Sequence, residues 1–163
     1  MFTMKRQAVV LVAMVAAMAA FGVSDAQAQI RQGGKFGIGF SGGVGVNGLS
    51  LKYFASDAQA LQVTLGANGF GSFSVIGVTA DYLLEMPALA QTQILDIGWN
   101  LGLGARALVG DVFGLGLSGV AGLEFLFNPI PIDFVVEYRP TLDVVPGVDL
   151  DLVNFSGHVR FYF

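Results

Sequence analysis

The chain has no cysteine, one histidine and one tryptophan, and only 12% of its 163 residues are charged. Without cysteine, disulfides, thiol chemistry and lipid attachment at a thiol are all excluded. An average soluble domain carries about 25% charged residues. Something other than a charged surface must therefore keep this chain, 54% hydrophobic, from aggregating, and lipid is the simplest candidate. No basic run is present, which argues against a nucleic-acid partner. Beyond residue 28 no stretch of about 18 apolar residues exists, so no helix is expected to span a membrane. The 23 glycines have no fixed period, which excludes collagen.

What is present begins with a processing segment. Lys5 and Arg6 precede an apolar stretch from Ala8 to Val23, and Ala26-Gln27-Ala28 places small residues where a signal peptidase reads. The stretch is short against the roughly 20 residues of a spanning helix. Cleavage after Ala28 is expected, giving a signal peptide over 1–28 and a single domain over 29–163. Removing Lys5, Arg6 and Asp25 from eight bases and twelve acids leaves six and eleven, a formal charge of −5.

The mature sequence alternates. Phe36, Ile38 and Phe40 oppose Lys35, Gly37 and Gly39; Leu49, Leu51 and Tyr53 oppose Ser50, Lys52 and Phe54. Further runs cover 61–68, 76–84, 95–104, 113–127 and 132–139. The last is Asn154 to Phe163, with Phe155, Gly157, Val159, Phe161 and Phe163 on one face. A period of two is that of a strand. Turns or loops are expected at 41–48, 56–59, 68–72, 85–89, 106–111, 128–131 and 140–149. One face of each run is large and apolar. The other holds Gly, Ser, Thr, Asn, Gln and charge, too poor in Lys and Glu for a solvent face but suited to a crowded lumen. Strands of about 9–11 residues match a tilted crossing of the hydrocarbon band, and only a closed barrel satisfies every backbone group in lipid. The expected fold is all-β, an eight-stranded antiparallel up-and-down transmembrane β-barrel.

Two features resemble a known class. A terminal Phe163 preceded by alternating apolar residues resembles the C-terminal assembly signal of bacterial outer-membrane barrels, with Phe155, Val159, Phe161 and Phe163 as its members. The runs Gly48-Leu49-Ser50-Leu51-Lys52-Tyr53-Phe54 and Ile130-Pro131-Ile132-Asp133-Phe134, the latter with Glu137-Tyr138-Arg139-Pro140, resemble small outer-membrane β-barrel proteins of Gram-negative bacteria. In one respect the chain departs from the signal: His158 stands where its glycine is usual, and Gly157 is one place early. The resemblance implies an outer-membrane location, lipid and lipopolysaccharide as surroundings, and the barrel-assembly machinery as a partner during biogenesis. It implies both termini and the turns at 56–59, 85–89 and 128–131 on the periplasmic side. The implied role is structural or interactive rather than that of a general diffusion porin, with no cofactor and no catalysis. A barrel holding a small or lipid-like ligand in a Gly-lined lumen is the alternative. An enzyme acting on lipid A and a secreted soluble barrel are weaker ones.

Charges on the inner face must pair, because an unpaired buried ion costs several kcal/mol. Lys35, Glu124, Asp133, Glu137, Arg139 and Arg160 point inward on the alternation, and Arg160 bonded to Glu137 is the expected pair. Asp81 and Asp96 are expected at one height on adjacent strands, with Lys52, Gln62 and Thr64 beside them. Two carboxylates so placed can do acid–base work, although a charge network filling the lumen explains them better. His158 with Ser156 is a weak catalytic signal without a third partner. Asp143, Asp149 and Asp151 read as a solvated acidic loop. The inward glycines Gly98, Gly102, Gly104, Gly114 and Gly116 mean space, either filled from facing strands or open.

Overall fold

The computed structural model describes residues 34–68, 75–111 and 113–163. The expected signal peptide and its cleavage site lie outside the described residues, as does most of the expected loop at 68–72. In chain order the strands are β1 (Phe36–Gly43), β2 (Val46–Ser56), β3 (Gln59–Asn68), β4 (Val75–Glu85), β5 (Ala90–Gln91), β6 (Leu95–Gly110), β7 (Gly114–Phe127), β8 (Ile132–Tyr138), β9 (Thr141–Val145), β10 (Asp149–Asp151) and β11 (Phe155–Tyr162). Every pairing is antiparallel, and β11 returns to β1, with Gly37 opposite Tyr162 and Gly43 opposite Ser156.

Eleven strands make eight staves. β8 and β9 continue one another along β7, joined by the Gly119 amide donating to the Pro140 carbonyl at 3.0 Å. β10 and β11 form the next stave. Between the pairs Tyr138–Phe155 and Thr141–Asp151, two residues of one stave face three of the other, a bulge held by the Arg139 amide on the Asn154 carbonyl. The two-residue β5 prolongs β4 along the foot of β6. The architecture is thus the expected eight-stranded closed antiparallel barrel.

The register fixes the barrel's shape. Directly paired residues run from Arg160 through Gly39, Ser50, Thr64, Thr79, Arg106, Gly116 and Asp143 to Asp149. That circuit returns to its own stave 160 − 149 = 11 residues away, ten once the bulged residue is discounted. With roughly 3.3 Å per residue and about 4.8 Å between strands, such a stagger tilts the strands by about 41°, within the usual range for closed barrels.

Three expected loops are shorter than the sequence suggests. The Gly-rich stretch 41–48 is mostly strand; only Val44 and Gly45 separate β1 from β2. Gly43 has φ of +151°, a conformation open to glycine, and its amide donates to Asn47 Oδ1 at 2.5 Å. The stretch 106–111 is strand as far as Gly110, and 140–149 contains β9 and the start of β10. Glycine and serine read as loop in isolation, but on the inner face of a narrow barrel they are the residues that fit.

The alternation holds throughout. On β4, Ile76 and Val78 are exposed while Thr79, Asp81 and Leu83 are buried; on β8, Phe134 and Val136 are exposed while Asp133, Val135 and Glu137 are buried. Among the described residues, no charged side chain stands at an outward position of a barrel stave. The barrel is therefore apolar outside and polar within. A small apolar cluster of Phe54, Ala60, Leu83, Val120 and Tyr162 sits inside, with the Phe54 and Tyr162 rings 5.7 Å apart.

Candidate functional site

The site is the lumen itself, which three adjoining groups of side chains fill. At the end nearer the chain terminus, Lys52 from β2 lies between Glu85 of β4, at 2.8 Å, and Glu124 of β7, which accepts its hydrogen bond. Asn100 Nδ2 donates to the same Glu124 oxygen at 2.6 Å. The Lys52 ammonium also stands 4.8 Å from the centre of the Phe54 ring, close enough for a cation–π contribution.

Beside this group, Arg160 of β11 donates to Asp133 of β8 at 2.9 Å, and the Tyr162 hydroxyl donates to the same carboxylate at 2.6 Å. Arg160 also donates to Gln62 Oε1 at 2.5 Å. Gln62 then links onward, its amide donating to Glu137 at 2.8 Å and to Asp81 at 3.3 Å. In the third group Arg139 clamps Asp81 with two bonds of 2.7 Å and reaches Glu137 at 3.0 Å. Glu137 is the hub: His158 Nε2 and the Ser156 hydroxyl bond to it as well, at 3.2 and 3.3 Å. Because a carboxylate only accepts, Nε2 donates to Glu137, and Nδ1 faces the Ser50 hydroxyl at 2.9 Å.

The glycines supply the room. A Cβ on Gly104 would stand 2.0 Å from Asp81 Oδ1, one on Gly122 would stand 2.7 Å from Asn100 Oδ1, and one on Gly37 would meet the Tyr162 ring at 2.6 Å. Of the two readings open for the inward glycines, filling from facing strands is the one found at Gly104. Gly102 and Gly116 are likewise occupied, by Leu83 and Asp143.

Of the expected interior charges, Lys52, Asp81, Glu124, Asp133, Glu137, Arg139 and Arg160 meet in this network. Two do not join it. Lys35 is exposed at the strand end. Asp96 is buried, but at the foot of β6 beside the turn from β5, where it accepts from the Thr92 amide at 3.1 Å and Asn128 Nδ2 at 3.2 Å. It is far from Asp81, which lies opposite Gly104. The expected Arg160–Glu137 pair is also replaced. Arg160 stands directly opposite Asp133, and Glu137 is opposite Ser156. Glu85, read as a strand breaker, belongs to the network. The alternation of β4 simply runs one step further inward, through Asp81 and Leu83 to Glu85.

His158, Ser50 and Glu137 have the composition of a hydrolytic triad. Ser50 is 0% exposed, however, and the ring is reversed: Ser50 stands at Nδ1 and Glu137 at Nε2, whereas a hydrolytic triad has its serine at Nε2 and its acid at Nδ1. The expected neighbour of His158, Ser156, bonds Glu137 instead. Asp143 is not free in a solvated loop: Arg106 binds it at 2.5 Å near the far rim. The residues of the expected assembly signal, Phe155, Val159, Phe161 and Phe163, share the outer face, with the Phe163 ring edge-on to Phe36 at 5.5 Å. Comparison with protein-family models, curated proteins and solved structures finds no match. Fold and lumen together define a small eight-stranded barrel with a filled, charge-paired interior.

Proposed function

We propose that the chain is an integral outer-membrane β-barrel with a structural or interaction role, its lumen closed by a charge network rather than open as a pore. One observation carries the reading: the distribution of polarity is inside out. Arg160, Lys52, Glu124 and Glu137 are fully buried, while Phe40, Leu65, Leu117 and Phe161 are exposed. In water this arrangement is doubly unfavourable, since it leaves apolar surface hydrated and strips ions of solvent. In a bilayer the outer surface is matched to its surroundings and the inner one supplies its own partners. Lipid and lipopolysaccharide are then the surroundings, and the barrel-assembly machinery reads the aromatic C-terminal strand. The occupied glycines favour this role over a ligand-holding lumen.

Fractionation of cells making the full chain tests the reading. Recovery in the outer membrane is expected, resistant to carbonate and urea extraction, with faster gel migration before boiling than after. Recovery as soluble periplasmic protein would overturn it.

A further inference from the structure

Opposite walls of the barrel differ in apolar height. On β6 the outward positions from Leu95 to Val109 are all apolar, 109 − 95 = 14 residue steps. At the tilt derived above, each step climbs about 2.5 Å, so this wall is about 35 Å tall. β7 carries the same face over 127 − 115 = 12 steps, about 30 Å. β1 and β2 lie diametrically across the ring. On β2 the outward apolar run covers only 55 − 49 = 6 steps, Ala55 to Leu49, or about 15 Å. Asn47 follows, and its amide donates to the Gly45 carbonyl at 3.0 Å, closing the hairpin over its own backbone.

The apolar band of such barrels is about 25 Å tall. One wall overshoots it by about 10 Å and the other falls short by as much. Tilting the barrel does not reconcile them, because a slab of even thickness cuts both walls to the same height. The upper part of the tall wall needs an occupant. It continues the lower part without a polar or charged boundary, and its members Ile76, Val109 and Leu115 are aliphatic and exposed.

We propose that lipid covers the tall wall along its whole height, so that the barrel grades the bilayer around itself, thick against β6 and β7 and thin against β2. The inference rests on the membrane reading above. It makes the partner a deformed lipid surface, the usual response of a bilayer to unequal apolar lengths.

The absence of cysteine makes the test direct. Single cysteines at Leu101, Val109 and Val44 are spin-labelled, and the refolded barrels are placed in phosphatidylcholine vesicles. Accessibility to oxygen reports lipid, and accessibility to a water-soluble nickel chelate reports water. Variants enter the comparison only if they show the folded gel mobility. Val44 stands about 7 Å lower on the barrel axis than Val109. Even so, Val44 should be reached by nickel while Val109, like Leu101, is reached by oxygen. If Val109 takes up nickel while Leu101 does not, the upper wall stands in water and the proposal fails, although the membrane reading survives. If Val44 and Val109 both report lipid, the bilayer is evenly thick and the proposal also fails. Shielding of Val109 from both reagents, with spin–spin broadening, would assign the wall to a second copy of the chain and overturn lipid as the occupant. Nickel access at all three positions would instead overturn the membrane reading itself.

Discussion

The Arg160–Asp133 pair allows the interior to be tested quantitatively. Arg160 is 1% exposed and Asp133 0%. The guanidinium makes bonds of 2.9 and 3.2 Å to the carboxylate and one to Gln62, and Tyr162 adds a further bond to Asp133. Arg160→Met leaves a buried carboxylate with the Tyr162 hydroxyl as its remaining donor among these. Breaking a buried pair from one side costs about 3–5 kcal/mol. Asp133→Asn strands the guanidinium in the same way and should cost a similar amount. The double variant removes both charges together, so its loss should fall short of the sum by about 1–3 kcal/mol. Equilibrium urea unfolding in vesicles, followed by tryptophan emission from Trp99 and by gel mobility, gives all four corners of the cycle. The control is Glu137→Gln with Arg160→Met. These two residues connect only through Gln62, so their coupling should be smaller. Additive losses for Arg160 and Asp133, within about 0.5 kcal/mol, or stronger coupling of Arg160 to Glu137, would refute the pairing derived from the register.

Gly104→Ala should destabilise the barrel by about 1–3 kcal/mol, because the new methyl displaces the Asp81 carboxylate. Gly147→Ala, with nothing within 4 Å, should stay within about 0.5 kcal/mol in the same unfolding assay. Leu101→Arg places a charge on the outer face of β6 and should cost about 2–4 kcal/mol in vesicles; equal stability to the parent would reverse the assignment of faces. Deleting Phe163 should lower the yield of heat-modifiable barrel in cells, and unchanged yield would separate the terminal ring from assembly. In planar bilayers the parent should be nearly silent, whereas Arg139→Ala with Glu137→Ala should conduct. The lumen buries Asp81, Glu85, Glu124, Asp133 and Glu137 against Lys52, Arg139 and Arg160, and the variant retains four of those acids against two bases. Current through it should therefore favour cations, which reversal potentials in a salt gradient would check.

The face of nearly every strand residue was legible because side chains in a strand alternate wherever no bulge intervenes. Glu85 needed only one further step of that rule. Pairing was less legible, because it depends on where each hairpin is centred. An Asp81–Asp96 neighbourhood requires β4 and β6 to fold about residue 88. Glu85 opposite Asn100 instead centres them between residues 92 and 93, since β5 lengthens the hairpin and the Thr92 side chain closes its turn. Arg160 opposite Glu137 requires a centre between 148 and 149. Arg160 opposite Asp133 puts it between 146 and 147, and the bulge at 152–154 that accompanies this shift has no signature in composition. The Ser50–His158 bond joins residues 108 apart across β1, a contact that only ring closure creates.

Several lumen contacts join staves that are not neighbours. Lys52 on β2 reaches β4 and β7, Asp81 on β4 is held from the far side of Tyr138 by Arg139, and Gln62 on β3 binds Arg160 on β11. In an open sheet the staves that bear these partners stand apart, and the bonds across the lumen are unmade. They form as the sheet curls, so closure of β11 on β1 joins the interior as well as the edges. Closing the ring and pairing buried charge are thus one event for the contacts that cross the lumen.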